Sequence, residues 1–395
     1  MNHRSLSVFM ACVATVTTVS IQTIGHAQDW VTVEPDLFPL VTSSVGYDLG
    51  LVDGVFWSVG YGLDALGIQQ AAILQSRDGG QTWSHLDQNF TPPGANNSQF
   101  HAFDAGPSGR VYAGGVDDRA GGEWFVERND PGGPWLIDDQ FQYQAGQEAR
   151  CWDLKVDASG NVYASGRAYT SKCGLWVVRK RDAASGQWTT SDVFGVNTSG
   201  KWSTPSSVAI YPGTVPVVLV SGFTMNNKGQ QVWTVRRSID QGITWATVDS
   251  LGAPSAARAM AVTSMGGIFV VGDSQSSKGI VSWVVRESRD GGATWKTVDT
   301  FSYGSQVRAW SVGSDLQGNV YVGGSAGPHW LVRKGVLSAI GTWTWSTSDD
   351  FASSSYTCLA YPHAVLGDSV GQVFITGEVL DAACNSHWII RKLVP

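Results

Sequence analysis

The octet SRDGGATW, at Ser288–Trp295, occurs almost unchanged at Ser76–Trp83 as SRDGGQTW and more loosely at Ser238–Trp245 as SIDQGITW. Each copy ends in a tryptophan and is followed by a short apolar segment with alternating polar residues, which is typical of a β-strand. A short motif repeated along one chain predicts a fold built from repeated structural units.

The segments around the octets repeat as well. The Gly-rich turn within Asp157–Gly166 has counterparts near Gly109, Gly318 and Gly371. A second segment, of the type W-V-V-R-K, begins at Trp124, Trp176, Trp233, Trp283, Trp330 and Trp388. Together these features give four short strands per unit, and equivalent positions lie 50 to 56 residues apart. Seven such units predict an all-β, seven-bladed β-propeller of four-stranded blades.

The two ends of the chain are predicted to meet in one blade. The last unit lacks its outermost strand, whereas the segment from Asp29 resembles the outer strand that follows an octet. We therefore expect Trp30–Leu37 to complete the last blade and to close the ring, which removes exposed strand edges. Residues 1–27 read as a secretory signal peptide, with Arg4 ahead of an apolar run and cleavage after Ala27. The propeller then occupies residues 28–395.

Composition and charge exclude some functions. The net charge of −7 and the pI near 5.4 argue against a nucleic-acid partner, which needs a basic surface. No segment after the signal is long and apolar enough to span a membrane. No metal-ligand spacing, phosphate-binding Gly loop or cofactor motif is present, so no metal or cofactor is expected. We expect a secreted or periplasmic monomer.

The octet resembles the Asp-box, or BNR repeat, of sialidases and related propellers, whose pattern is S-x-D-x-G-x-T-W. In this resemblance the octets are structural turns between the third and fourth strands, not catalytic motifs. The aspartate accepts backbone N–H bonds, the glycine permits a positive φ and the tryptophan packs between strands. The residues concerned are Ser76, Asp78, Gly80, Trp83, Ser238, Asp240, Gly242, Trp245, Ser288, Asp290, Gly292 and Trp295.

The resemblance implies that ligands bind on the face opposite the octets, where each innermost strand begins. Aligning these starts places Arg150, Arg258, Arg308 and Tyr361 at one equivalent position. Two residues further on are His101, Trp152, Trp310 and His363, together with Tyr47, Val208 and Met260. Guanidinium groups suit carboxylates or sulfates, and indole rings provide faces for stacking against sugars. We therefore expect a ligand site for an acidic glycan or another anionic ligand at this mouth of the channel.

Two enzymatic alternatives use the same residues. The order Arg258, Arg308, Tyr361 is similar to the last two arginines and the tyrosine nucleophile of sialidases, although their N-terminal RxP motif and the glutamate partner of the tyrosine have no counterpart here. A uronate polysaccharide lyase would instead use arginine to neutralise the carboxylate, with Tyr361 and His363 moving protons. A protein-binding scaffold is the third alternative, and it would present an apolar patch.

Two further expectations concern charged and sulfur-containing residues. The Arg and Lys of the W-V-V-R-K segments are expected to point into solvent. The four cysteines of the mature chain are expected to form disulfides within single blades, Cys151–Cys173 and Cys358–Cys384.

Overall fold

The computed structural model describes most of the chain after the predicted signal. The described residues are 29–34, 43–64, 66–86, 88–195, 198–304, 306–352, 355, 358–368 and 370–394. The predicted signal peptide and its cleavage position lie outside these residues.

The described residues form 28 strands and one short 3₁₀ helix, Arg119–Gly121. Strand β1 (Asp29–Glu34) belongs to blade 7. Blades 1 to 3 contain β2 (Ser44–Val52), β3 (Val55–Leu63), β4 (Gln69–Ser76), β5 (Ser84–His85); β6 (Ser98–Ala105), β7 (Val111–Asp117), β8 (Glu123–Asn129), β9 (Trp135–Phe141); β10 (Ala149–Val156), β11 (Val162–Tyr169), β12 (Gly174–Arg181) and β13 (Trp188–Phe194). Blades 4 to 7 contain β14 (Thr204–Tyr211), β15 (Val217–Met225), β16 (Gln231–Ser238), β17 (Ala246–Ser250); β18 (Ser255–Val262), β19 (Ile268–Gln275), β20 (Val281–Ser288), β21 (Lys296–Phe301); β22 (Arg308–Ser314), β23 (Val320–Ala326), β24 (His329–Leu337), β25 (Trp343–Phe351); β26 (Ala360–Gly367), β27 (Val373–Leu380) and β28 (Ser386–Val394).

These strands form seven antiparallel four-stranded sheets, which confirms the predicted seven-bladed propeller. In six blades the four strands are consecutive in the chain. In blade 7 the order is β1-β28-β27-β26, so the strand nearest the N-terminus is the outer strand of the last blade. Thr32 lies opposite Arg391 in this pair. Ring closure is therefore confirmed, although the closing strand is Asp29–Glu34 and residues 35–37 lie outside the described part.

In each of blades 2 to 7, a tryptophan near the start of the third strand fills the boundary with the following blade. Six of these rings are fully buried: Trp124, Trp176, Trp233, Trp283, Trp330 and Trp388. Several of them lie against a glycine of the next blade's second strand. A Cβ at Gly222 would lie 2.9 Å from the ring of Trp176, and one at Gly272 would lie 2.9 Å from that of Trp233. Glycine is needed here because the indole occupies the space of a side chain.

In blades 3 to 7 the arginine three residues after the segment tryptophan has only 6 to 13% of its side chain exposed, so the predicted exposure of these five arginines to solvent is wrong. Each pairs with an aspartate on the outer strand of the preceding blade, as Arg179 does with Asp139 at 2.6 and 2.7 Å. The arginine–aspartate pairs are Arg179–Asp139, Arg236–Asp192, Arg286–Asp249, Arg333–Asp299 and Arg391–Asp349. Alternation along a strand predicts one solvated face, but both faces of a propeller blade lie against neighbouring blades.

The three octets form the same turn after the third strand of blades 1, 4 and 5. In the octet Ser288–Trp295, the Asp290 carboxylate accepts bonds from the Ser288 hydroxyl, the backbone N–H groups of Ala293 and Thr294, and the Thr294 hydroxyl at 2.6 Å. These hydrogen bonds, with that of Thr294 largest, lower the pKa of Asp290. The equivalent bonds, led by that of Thr244, lower the pKa of Asp240 to about 2. The turn is closed by the aspartate.

Each octet also bonds to the blade before it. The carbonyl oxygen of the third residue after the octet serine accepts a hydrogen bond from a Lys or Arg side chain on the third strand of the preceding blade. The pairs are Lys392 Nζ to Gly79 O at 2.8 Å, Lys180 Nζ to Gln241 O at 2.9 Å and Arg237 Nε to Gly291 O at 2.8 Å. The octet therefore fastens neighbouring blades together as well as closing its own turn.

The described residues contain no disulfide, so neither predicted bond, Cys151–Cys173 or Cys358–Cys384, is shown. Cys151 lies opposite Gly166, which lies opposite Val177, four residues beyond Cys173. Four strand residues span about 13 Å, whereas the Cα atoms of a disulfide are less than about 7 Å apart. Cys151 instead packs against Gly114 of blade 2. Cys358 and Cys384 lie close enough for their thiols to hydrogen-bond, and this bond, more than burial, raises the pKa of Cys358.

Candidate functional site

Every innermost strand contains a β-bulge at the same depth in the channel. In β10, for example, the register between strands shifts between Cys151 and Asp153, so Trp152 has no cross-strand partner. A bulge bends the strand and redirects the extra side chain. The seven bulge residues are Tyr47, His101, Trp152, Ser206, Arg258, Trp310 and His363. We call this set the bulge ring.

All seven residues of the bulge ring line one cavity of about 660 Å³ in the central channel. They lie near the start of each innermost strand, on the face away from the octets. The walls deeper in the cavity include Asp48, Asp104, Asp153 and Lys155. Five of the seven ring positions carry an aromatic or imidazole side chain. The ring therefore places flat side chains around the mouth of a cavity with a polar interior.

The bulge positions correct the predicted alignment in blades 4 and 5. Arg258 was placed with Arg150 and Arg308, but its bulge makes it equivalent to Trp152 and Trp310. Ser206 and Arg258 hold the ring positions that were assigned to Val208 and Met260. Arg150, Arg308 and Tyr361 remain equivalent, two residues before the bulge. The error arose because sequence spacing does not show which strand residue lacks a partner.

Ring-to-ring contacts connect the side chains of blades 7, 1, 2 and 3. The His363 and Tyr47 ring centroids lie 5.0 Å apart, and those of Tyr47 and His101 lie 4.8 Å apart. His101 stacks on Trp152 at 4.5 Å, and its Nδ1 lies 2.8 Å from the Cys151 carbonyl oxygen. Burial lowers the pKa of His101 to about 3, so its imidazole is neutral at physiological pH. Tyr47, His101 and Trp152 therefore form an uncharged aromatic surface.

A cationic group lies at the other side of the ring, in blades 5 and 6. Arg258 donates from Nε to Asp273 Oδ1 at 2.9 Å, and its guanidinium lies 5.0 Å from the centre of the Trp310 ring. Arg308 approaches the same carboxylate oxygen only to 3.8 Å, and 45% of its side chain is exposed. Two guanidinium groups therefore share one carboxylate, which leaves a net positive charge beside an indole face.

Tyr361 and His363 lie beside this cationic group. The ring centroid of Tyr361 is 5.4 Å from that of Trp310 and 6.0 Å from that of His363, on which it stacks. Burial and the nearby Glu378 raise the pKa of Tyr361, while Arg308 opposes this shift. The structure thus brings the predicted Arg258, Arg308, Trp310, Tyr361 and His363 into one group.

Glu378 is a candidate site residue that sequence reasoning missed. It lies opposite Tyr361 on the neighbouring strand, and His363 Nε2 is 3.3 Å from its Oε1. It lies within the second strand of blade 7, directly after Gly377, and belongs to no motif, so only the cross-strand register reveals it. The carboxylate lacking near the tyrosine in the sequence is therefore supplied from within blade 7.

Arg150 lies at the opposite side of the ring and is paired differently. Its Nε and Nη2 donate to the two carboxylate oxygens of Glu148 at 2.8 and 3.0 Å. The guanidinium also lies 5.9 Å from the centre of the Trp152 ring. The eight predicted ligand-binding residues thus all lie at this mouth, divided between a blade 5–7 group and a blade 2–3 group.

The charged residues deeper in the channel fasten the innermost strands together. Asp48 accepts the backbone N–H of Phe103, Asp104 that of Val156, and Asp153 that of Val208. Burial raises the pKa of Asp48 to about 7. Burial opposes the charged form of Lys155, but the combined attraction of the Asp153, Asp48 and Asp104 carboxylates is stronger, so the pKa of Lys155 is raised. These residues join blades 1 to 4, so a structural role accounts for them.

Neither a metal site nor a membrane-spanning helix is found among the described residues. Among the described residues, no three His, Cys, Asp or Glu side chains are grouped so that they could hold a metal ion. Within the same part of the chain, no helix has the length and apolar character that a membrane crossing requires.

Comparisons with known proteins find similarity in structure alone. No protein-family model matches the chain, and no curated protein sequence matches it. The polysaccharide lyase Uly1 has a TM-score of 0.54 at 12% identity over 91% of this chain and 90% of its own. A protein of unknown function from Dyadobacter fermentans has a TM-score of 0.53 at 12% identity over 92% and 99%. The α-L-arabinofuranosidase of Fusarium graminearum has a TM-score of 0.50 at 12% identity over 93% and 97%.

At this level of identity the similarity shows the fold alone. Two of the three proteins are named as enzymes that process glycans, and they share the propeller over nearly their whole length. Because one fold carries many functions, the role of this chain has to be argued from its own residues.

Proposed function

We propose that the protein is exported and binds an acidic glycan at the mouth formed by the bulge ring. The observation that carries the proposal is the group of Arg258, Arg308 and Trp310, in which two guanidinium groups share the Asp273 carboxylate beside an indole face. Glycan-processing propellers among the structural neighbours support it, as does a polar cavity of about 660 Å³, a size typical of ligand sites.

The chemistry of recognition follows from the two kinds of surface. Arg308 has donors free for a carboxylate or sulfate because Asp273 engages it only at 3.8 Å. An arginine fork binds such groups through two parallel hydrogen bonds. The faces of Trp310 and Trp152 can stack on the C–H surface of a sugar ring. A neutral sugar would use the stacking surfaces but would leave the guanidinium donors without an acidic partner.

A glycan array followed by titration calorimetry tests this proposal. The wild-type protein should bind uronate-containing or sialylated glycans and should bind neutral ones more weakly. Arg308→Ala should weaken the acidic ligands about tenfold or more, since a hydrogen bond to a charged group contributes about 1.5–3 kcal/mol. The double variant Arg258→Ala/Arg308→Ala should abolish the preference for acidic glycans.

Arg77→Ala is the matched control. Arg77 is an exposed arginine in the octet Ser76–Trp83, on the opposite face, so its loss changes the net charge equally without touching the mouth. Equal weakening by Arg77→Ala would assign the effect to overall charge and contradict the proposed site. Failure of the wild-type protein to bind any acidic glycan would overturn the proposal itself.

Cleavage of the bound glycan is a second candidate, favoured by Glu378. This carboxylate lies opposite Tyr361 and near His363, so a proton acceptor, a phenol and an imidazole lie beside the arginine pair. Such groups could serve either hydrolysis or proton abstraction next to a uronate carboxylate. The raised pKa of Tyr361 keeps its phenol protonated until Glu378 or another base takes the proton.

Product analysis distinguishes binding from cleavage. Acidic oligosaccharides should be incubated with the wild-type protein and with Tyr361→Phe, and the products separated by mass. An unsaturated product would identify elimination, and a product heavier by water would identify hydrolysis. Intact oligosaccharide after prolonged incubation would restrict the protein to binding.

A further inference from the structure

We infer that the ligand is a segment of an acidic polysaccharide which crosses the rim at blade 4 and contacts a second cationic group on blade 3. This inference rests on the proposed function and extends the site to residues that no sequence motif indicates. Three observations support it. Two pairs of arginines each share one carboxylate, blade 4 lies between these two pairs, and blade 4 contributes the smallest side chain of the bulge ring, Ser206.

The second cationic group repeats the arrangement of the first. Arg150 and Arg167 are cross-strand partners that face the single carboxylate of Glu148, at 2.8 Å for Arg150 and 3.9 Å for Arg167. Nε of Arg167 is buried and has no hydrogen-bond partner among the described residues. Burial lowers the pKa of the Arg167 guanidinium. As at Asp273, two guanidinium groups share one carboxylate, so one positive charge is left over.

Both cationic groups border the same pair of strands in blade 4. Arg167 Nη1 lies 3.4 Å from the Thr204 hydroxyl, and the guanidinium of Arg258 lies 5.9 Å from the centre of the Phe223 ring. Thr204 and Phe223 are cross-strand partners. Only the width of blade 4 therefore separates the two positive groups. An acidic sugar bound at one group lies within a few rings of the other.

Ser206 gives blade 4 the smallest side chain of the bulge ring. It is the bulge residue of blade 4, and it lies between Trp152 of blade 3 and Arg258 of blade 5 in the bulge ring. Every other ring position carries an aromatic, imidazole or guanidinium side chain. A chain that runs from one cationic group to the other passes over this small hydroxyl without displacing a large side chain.

An aromatic platform lies beside Arg167, where blade 3 meets blade 4. Trp202 is 37% exposed and forms an isolated bridge with Gly174. A Cβ at Gly174 would lie 2.9 Å from Trp202, 3.1 Å from Tyr169 and 3.2 Å from Arg167, so these three side chains converge there. The guanidinium of Arg167 lies 4.8 Å from the centre of the Tyr169 ring. An exposed indole next to a cationic group is suited to a second acidic sugar.

Affinity as a function of chain length tests this inference. Calorimetry should use galacturonic acid and its linear oligomers up to the hexasaccharide, at one fixed salt concentration. The wild-type protein should gain about tenfold or more in affinity between the monosaccharide and the longest oligomers, because two linked contacts bind together. Trp202→Ala should remove most of this gain while leaving the affinity for the monosaccharide nearly unchanged, and Arg150→Gln should also reduce the gain.

Ser206→Trp gives an independent test at the rim. The added indole should block the crossing, so the gain with chain length should disappear, whereas Ser206→Ala should retain it. The Arg308→Ala variant should lose affinity for every length. Thermal unfolding of each variant checks that it has folded.

The possible failures can be told apart. If the wild-type protein binds no member of the series, the proposed function fails and this inference fails with it. If it binds the monosaccharide as tightly as the hexasaccharide, or if Trp202→Ala and Arg150→Gln retain the gain, only the extension over blade 4 is wrong. Equal binding of poly-glutamate would show that the two groups recognise charge without a sugar, which also overturns the inference.

Discussion

The arginine of a W-V-V-R-K segment is held in position by two side chains of the adjacent blade. Arg333 donates to both carboxylate oxygens of Asp299, at 2.8 and 3.2 Å, and stacks at 4.2 Å from the centre of the Phe301 ring. The aspartate and the phenylalanine belong to one D-x-F segment of the preceding outer strand. Charge pairing and apolar stacking thus act on the same guanidinium.

Removing one partner of such a pair should cost more than removing both. Arg333→Leu leaves the buried Asp299 carboxylate unpaired, and we expect a loss of about 3 kcal/mol in the free energy of unfolding. Arg333→Leu/Asp299→Leu should recover most of this loss, because leucine already holds the equivalent position at Leu74. Urea unfolding measures both. A double variant as unstable as the single one would contradict this account.

Glu127 occupies the same position in blade 2 and should make stability depend on pH. Burial raises the pKa of Glu127 from its usual value near 4.5 to about 8, and its Oε2 has no hydrogen-bond partner among the described residues. Since the folded protein binds this proton more tightly than the unfolded chain, the stabilisation is present below pH 4.5 and is lost as the pH rises through 8.

Glu127→Gln removes this titration. The unfolding midpoint of the wild-type protein should fall between pH 6 and pH 9, and that of the variant should fall by a smaller amount, with all other groups unchanged. Thermal unfolding across this range provides the measurement. Parallel curves for the two proteins would show that Glu127 does not titrate there.

At the scale of the element, the octet turn connects a local motif to the boundary between blades. Its aspartate organises the turn, and its carbonyl and glycine contact the preceding blade. A Cβ at Gly292 would overlap Leu219 of blade 4, and one at Gly80 would overlap Phe374 of blade 7. The first glycine of the turn has more room: a Cβ at Gly291 would meet Tyr211 at 3.6 Å, and Gln241 holds that position in blade 4 with a φ of 60°.

Two neighbouring glycines therefore separate backbone strain from packing. Gly291 and Gly292 have φ values of 67° and 84°, so alanine is strained at both. Gly291→Ala should cost about 1 kcal/mol, whereas Gly292→Ala should cost at least about 2 kcal/mol because it also displaces Leu219. Urea unfolding of the two variants gives the comparison. Equal losses would show that the turn conformation alone requires glycine.

At the scale of the whole molecule, the ring is closed by strand β1. Arg391 connects this strand to blade 6, since it donates to Thr32 at 2.9 Å and to Asp349 of blade 6 at 2.7 and 2.9 Å. Trp30 Nε1 also donates to Ser348 at 3.0 Å. The closing strand therefore bonds to two blades, and its loss would expose the edge of β28.

Two truncated proteins test this closure. A chain that begins at Asp29 retains β1, whereas one that begins at Pro35 lacks it. The shorter chain should unfold at a temperature lower by about 5 °C or more and should aggregate, because the β28 edge can pair with other molecules. Thermal unfolding with light scattering measures both effects. Identical melting of the two chains would mean that β1 contributes nothing to the ring.

The repeats predicted the blade number and the closing strand because these follow from periodic patterns along the chain. The site was predicted less completely, since its geometry depends on the register between strands. Arg258 was aligned with the wrong residues of the other blades because a bulge depends on how two strands pair, which the sequence does not show. Glu378 was missed because its partner Tyr361 lies on another strand. The arginines were expected in solvent because a sequence does not show that both faces of a blade are covered.

The two exceptions to the arginine–aspartate pairs lie on either side of blade 1, where Leu74 and Glu127 stand in place of arginine. Blade 1 can therefore separate from its neighbours without breaking such a pair, whereas blades 2 and 7 would each lose one pair and blades 3 to 6 would each lose two. Subglobal opening of a native protein follows its weakest contacts. Amide hydrogen exchange in low urea should show that β2–β4 open at a lower free energy than β18–β20. Blade 1 would then be the blade at which unfolding of the ring begins.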